Sequence, residues 1–253
     1  LLLTLAERDK KVFTIDDVKF LLGGRAKKVM HSLMKKKWVL PLRKGLYAIV
    51  PLDVGMEGAD RFIVHEFVIA SELVEPYYIG FWSALNYHGL SDQIPNTTFI
   101  ATTKAKKPVH ALGMVFRFVR VLRRKFFGIE EVEIESKRVN ISDLNKTICD
   151  CLDHPEHAGG VEEVAKAIYF SHEELDFNSI VNYALKMGNV TVLKRLRYIL
   201  DRTDLLDRYP MVEKIKLSKG YPLLDPLSPR RGKYDGRWKL LVNREVDVER
   251  WMY

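Results

Sequence analysis

Apolar residues recur at helical spacing twice before position 36, and a pair of glycines separates the two runs. The first run passes through Val18 and Phe20 to Leu22. Thr14 and Asp17 supply a capping-box start for it, hydroxyl and carboxylate each satisfying a free N–H of the first turn. Gly23-Gly24 stops this helix, because glycine reaches the left-handed conformation that a tight helix-helix turn needs. The second run places Ala26, Val29, Met30, Leu33 and Met34 on one side of a new helix. The pattern then changes to strands. Trp38-Val39-Leu40 predicts one, Pro41 to Gly45 a turn with glycine at its tip, and Leu46 to Val50 the returning strand.

Pro51 to Ala59 reads as a linker. Helical spacing resumes from Arg61 to Leu73, Pro76 breaks it, and Ile79 to His88 predicts a further helix closed by Gly89, with Phe81, Trp82 and Leu85 toward a core. Strand patterns follow at Thr98 to Thr102, Met114 to Val121 and Val132 to Ile134. From Ser142 onward the spacing is helical at 142–152, 161–170, 177–187 and 190–200. The tail holds Pro222, Pro226 and Pro229 and predicts an extended segment ending in a strand at Trp238-Lys-Leu-Leu-Val242. The expected fold class is α+β: an N-terminal winged helix-turn-helix over residues 1–52, then a mixed α/β domain over 60–253 with a mostly helical C-terminal part.

Charge sharpens this reading of the N-terminal unit. Residues 1–50 carry twelve lysines and arginines against four acidic side chains, an excess of eight that equals the net charge of the whole chain. Concentrating the excess in one-fifth of the sequence suits a module that neutralises phosphates. On the polar side of the second helix lie Arg25, Lys27, Lys28, His31, Ser32 and Lys35, able to reach phosphates and guanine acceptor edges in a major groove. Arg43 and Lys44 make the hairpin tip basic. Double-stranded operator DNA is the expected partner. No coiled-coil heptad supplies an interface for a dimer.

Several segments then resemble one family. Leu42-Arg-Lys-Gly-Leu-Tyr47, Tyr78-Ile-Gly-Phe-Trp-Ser-Ala-Leu-Asn-Tyr-His-Gly-Leu90, Lys146-Thr-Ile-Cys-Asp-Cys-Leu-Asp153 with Gly159-Gly160, and Lys194-Arg-Leu196 look like those of AbiEi-type antitoxin regulators. The stretch from Ser83 to Leu90 is the more specific signal. The resemblance implies a transcriptional autorepressor of a toxin-antitoxin operon, with a C-terminal domain that counteracts a nucleotidyltransferase-like toxin. The partner of that domain would then be the cognate toxin or the toxin's RNA substrate.

Other constellations bear on chemistry. Cys149, Cys151, His154 and His157 are metal-capable, but two cysteines two positions apart diverge on a helix, and no metal or cofactor is expected. Glu135-Ser136-Lys137 matches half of a metal-dependent nuclease core, with Asp92 as a conceivable partner carboxylate, so a winged-helix nuclease stands as an alternative to a non-enzymatic regulator. A winged helix that binds another protein is a further one. Lys104, Lys106, Lys107, Arg117, Arg120, Arg123 and Arg124, with Lys125 and interleaved phenylalanines, admit three readings: a second nucleic-acid surface, a face for an acidic partner, or basic hairpin edges balanced by Glu130 to Glu135. The most apolar stretches are interrupted by charges short of the ~20 residues of a membrane span. With two cysteines and no disulfide framework, a reducing cytoplasm is the expected location.

Overall fold

The computed structural model describes residues 1–8, 10–50, 64–93 and 96–252; the expected linker at 51–59 lies outside the described residues. The architecture is α+β, built among the described residues on three sheets. The N-terminal unit runs α1 (Leu2–Ala6), β1 (Val12–Thr14), α2 (Ile15–Leu22), a 3-10 turn at Gly23–Arg25, α3 (Ala26–Lys35), β2 (Val39–Arg43) and β3 (Leu46–Ile49). The capping box forms as expected. The Asp17 N–H donates to the Thr14 hydroxyl at 3.2 Å, and the Thr14 N–H donates to the Asp17 carboxylate at 2.8 Å. Leu5, Phe13, Val18, Ala26, Met30 and Val39 close a small core between the helices and the sheet.

The strands pair antiparallel in the order β1-β3-β2. Two features differ from the sequence expectation. The short strand β1 joins the hairpin through Phe13 and Tyr47, and the turn is confined to Lys44 and Gly45, since Pro41 to Arg43 belong to β2 with a register shift between them. Because β2 is an edge strand, a proline there sacrifices no ladder hydrogen bond.

A six-stranded mixed sheet follows, in the order β6-β7-β5-β4-β9-β8. Its strands are β4 (Tyr77–Ile79), β5 (Thr97–Thr102), β6 (Val109–Ala111), β7 (Met114–Arg120), β8 (Ile129–Ile134) and β9 (Lys137–Ser142). β4 is a correction to the expected helix from Ile79: the helix there spans only Phe81–Tyr87, and Tyr77-Tyr-Ile79 is a central strand buried on both faces. Such a strand shows a continuous apolar run rather than alternation, which periodicity alone cannot tell from a helix.

Helix α4 (Glu66–Ser71) buries Phe67, Val68, Ile69 and Ala70 on one face of this sheet. The same apolar cluster takes in Val12, Leu42, Leu46 and Ala48 of the N-terminal unit, so that unit and the sheet share a core. A Lys11–Glu135 ion pair at 3.7 Å also joins them.

The other face carries α5 (Phe81–Tyr87) and a helical layer: α6 (Leu144–Asp153), α7 (Val161–Ser171), α8 (Phe177–Met187) and α9 (Val190–Arg202). α9 is buried at every position from Val192 to Leu200, cations included. Arg195 donates to the carbonyls of Leu152 (2.6 Å), Asp153 (3.0 Å), Leu223 (2.8 Å) and Leu224 (3.1 Å), and Arg197 to those of Val212 and Ile215, both at 2.6 Å. The tail is thereby fastened to α9. It ends in the hairpin of β10 (Lys233–Asp235) and β11 (Leu240–Val242) and the short α10 (Glu249–Met252). Among the described residues no helix is long and apolar enough to cross a membrane.

Candidate nucleic-acid interface

α3 separates its side chains cleanly. Ala26 and Met30 are buried, Leu33 and Met34 pack with them in the N-terminal core, and half-buried Val29 lies on the same side; Lys27, Lys28, His31, Ser32 and Lys35 lie on the opposite side. Their offsets of one, four, five and eight residues hold them on one helical face. Arg25 is exposed in the 3-10 turn just before that face, and Arg43 and Lys44 are exposed at the hairpin tip. Among the described residues, none of Arg25, Lys27, Lys28, Lys35, Arg43 or Lys44 has an ion pair or a side-chain hydrogen bond.

The two acidic groups of α2 are occupied elsewhere. Asp17 binds Lys10 and Asp16 binds Lys19, each at 2.7 Å on α2. Opposite charges are therefore consumed on one helix, and the next helix presents cations with nothing to neutralise them. Such a surface concentrates anionic partners.

The run of basic residues after position 103 does not form one patch. Lys104, Lys107, Arg117, Arg120, Arg123 and Arg124 are exposed, but β7 alternates, so Arg117 and Arg120 stand on opposite faces of the sheet. Lys106 is half-buried. Its ammonium donates to the Leu73 carbonyl, lies 5.0 Å from the Phe118 ring centroid, and is lowered in pKa by burial and then by Arg43 and Lys104. Lys104 and Lys106 thus sit beside the N-terminal hairpin, whereas Arg117 acts electrostatically on His157, across the sheet. The set is divided by strand geometry that the linear order of charges does not carry.

Glu135 and Ser136 form the two-residue turn between β8 and β9, both with positive φ. Lys137 binds Glu72 at 2.8 Å, Glu135 faces Lys11, and Asp92 lines a cavity with His88 and Glu163 that neither of them lines. Cys149 and Cys151 are buried and unpaired among the helices; the Cys149 thiol meets the Ile180 carbonyl at 3.5 Å, and burial pushes both thiols up. His154 and His157 do come together, but with Glu156 rather than with the cysteines.

The segments that carry the family resemblance act as fasteners. The Tyr78 hydroxyl donates to Asp150 at 2.8 Å, and Lys146, fully buried, donates to both Asp150 and Tyr78. Burial raises the Asp150 carboxyl against the opposing pull of Lys146 and Tyr78, and burial beside Asp150 raises the Tyr78 hydroxyl well above its ordinary value. Ser83 accepts the Phe99 N–H at 2.8 Å, and His88 Nε2 lies 2.9 Å from the Ser142 carbonyl. These bonds tie α5, β4, β5, β9 and α6 together.

No family model matches the chain, and no curated protein matches it. Among solved structures, the crystal structure of the RV2827C protein from Mycobacterium tuberculosis superposes with a TM-score of 0.65, over 94% of this chain and 88% of that one, at 12% sequence identity. The two chains share a fold. At that coverage the likeness takes in both the N-terminal sheet and the six-stranded sheet with its helices.

Proposed function

We propose that the chain is a DNA-binding transcriptional regulator, in which residues 1–50 act as a winged helix-turn-helix. α3 is the recognition helix in the major groove, and the β2–β3 hairpin is the wing, set against the backbone by Arg43 and Lys44. The observation that supports this most is the unpaired cationic face of α3 and the hairpin tip, alongside acidic neighbours already paired on α2. Lys27, Lys28 and Lys35 position the helix on phosphates; Arg25, His31 and Ser32 are placed for base edges.

The resemblance to AbiEi-type antitoxins extends the reading to an autorepressor of a cytoplasmic toxin-antitoxin operon, without catalytic activity of its own. What supports that extension is the sequence of the Ser83–Leu90 and Lys146–Asp153 segments. The remaining helical surface is then available to a nucleotidyltransferase-like toxin or its RNA substrate.

The test is a gel-shift titration against the DNA upstream of the coding sequence and a scrambled control, at two salt concentrations, with and without magnesium. Preferential binding that weakens steeply with salt is expected. Lys27→Ala/Lys28→Ala/Lys35→Ala should lower affinity and make the slope of log affinity against log salt shallower by about 2–3, roughly 0.9 for each phosphate no longer neutralised. Operator binding unchanged by the triple substitution would overturn the recognition-helix assignment, and magnesium-dependent cleavage abolished by Glu135→Ala would replace the regulator with a nuclease.

A further inference from the structure

The turn after α6 gathers three ligand-capable side chains that no DNA-binding role uses. Pro155–His157 is a single 3-10 turn between α6 and α7, and one nitrogen or oxygen from each of His154, Glu156 and His157 lies within 4.8 Å of the other two. The two imidazoles stack with centroids 5.8 Å apart. Phe81 meets both edge-on, at 6.1 Å and 5.5 Å, and Phe99 lies 5.6 Å from His157. Phe81 holds a φ of 55°, a backbone region that bulky side chains avoid, and its ring is thereby set against both histidines.

Two polar atoms of this cluster are left over. Glu156 Oε2 and His157 Nδ1 are buried with no hydrogen-bond partner among the described residues. Leaving such an atom buried and unpaired is costly, and a protein of this size carries few of them. The other carboxylate oxygen of Glu156 is 2.9 Å from His154 Nδ1. Asp153 stands behind His154, 3.4 Å from its Nε2, held by Lys125 and the Asn189 amide at 2.5 Å each. A carboxylate behind a histidine is how proteins orient an imidazole toward a metal.

We propose that His154, Glu156 and His157 bind one divalent transition-metal ion of the zinc type. Two imidazoles and one carboxylate are the donor set of zinc sites that keep a coordination position open, whereas magnesium and calcium favour oxygen alone. Zinc–nitrogen bonds of about 2.0–2.1 Å place tetrahedral ligand atoms about 3.3 Å apart, so a cluster no wider than 4.8 Å closes by rotation of side chains that are only half-buried. Glu156 supplies the negative charge, and His154 Nδ1 exchanges its 2.9 Å contact with the Glu156 carboxylate for the ion that both would bind. The ion would hold the α6–α7 turn in place against Phe81 of α5 and Phe99 of β5.

The experiment is titration of the full chain, free of any histidine tag, with Co(II) and Zn(II), read by visible absorption, calorimetry and thermal unfolding. One equivalent should bind, with cobalt d–d bands, no thiolate charge-transfer band, and a melting temperature that rises with Zn(II). His157→Asn and Glu156→Gln should each weaken binding by about a hundredfold with the metal-free circular dichroism unchanged, and Cys149→Ala should leave it intact. Absence of saturable stoichiometric binding, a thiolate band, or affinity that survives Glu156→Gln overturns the proposal. Should His157→Asn fail to fold, Glu156→Gln still decides, and so does anomalous scattering from wild-type crystals: a metal peak away from these three side chains is equally fatal.

Discussion

Asp17 shows how one side chain links local order to charge. Burial raises its carboxyl, but the Lys10 ammonium and the Thr14 N–H and hydroxyl outweigh burial and hold it below the ordinary 3.8. A carboxylate depressed on folding adds stability above its unfolded pKa and loses that contribution as pH falls through the folded value. Asp17→Asn should therefore destabilise by about 1 kcal/mol near neutral pH and by little in acid below the folded pKa, where the wild-type group is protonated too. Urea denaturation at both ends checks this, and a penalty that persists in acid would mean that the carboxylate charge is irrelevant. Lys146 is the buried counterpart. Lys146→Met strands Asp150 without its cation and should cost about 3–5 kcal/mol, most of it recovered in Lys146→Met/Asp150→Leu, as measured from denaturation midpoints.

At the scale of elements, the chain is held by helices and strands whose polar groups face inward. α9 is the extreme case, for the Arg195 guanidinium, lowered to about 10 chiefly by burial, joins the end of α6 to the tail around Leu223 and Leu224. Arg195→Met leaves those carbonyls orphaned. It should cost about 2–3 kcal/mol and open the segment between positions 215 and 224 to protease; cleavage no faster than in the wild type would show that the tail is held by its apolar packing alone. α3 illustrates the converse, an element whose inward face serves the core while its outward face stays exposed and cationic. Its start was legible because Gly23-Gly24 ends the helix before it. β4 was not, because a fully buried strand lacks the alternation that marks a strand with one wet face.

Taken whole, the molecule is less divided than its composition implies. Leu42, Leu46 and Ala48 of the N-terminal sheet lie in the same apolar cluster as Ile79, Phe116 and Ile141 of the six-stranded sheet. Calorimetry should then show one unfolding transition for the full chain. Leu46→Ala should lower stability by about 2–5 kcal/mol for the sheet as well as for the N-terminal unit, and two separable transitions would refute the coupling. The proposed DNA-binding face is thereby joined to the six-stranded sheet through packed side chains.

By itself the sequence determined what depends on neighbours along the chain. The Thr14–Asp17 cap, the Gly23 turn, the amphipathic face of α3, the α8 helix stopping at Gly188 and the local excess of positive charge all follow from spacings of a few residues. Only the tertiary structure decided what depends on residues far apart. It paired Lys11 with Glu135, divided the later basic run between two faces of a sheet, turned Cys149 and Cys151 into the core, and set His154 and His157 against Phe81 and Phe99. The physical reason is the same in each case: backbone propensity and periodicity act locally, whereas charge pairing, strand order and burial are set by which distant segments the core brings together.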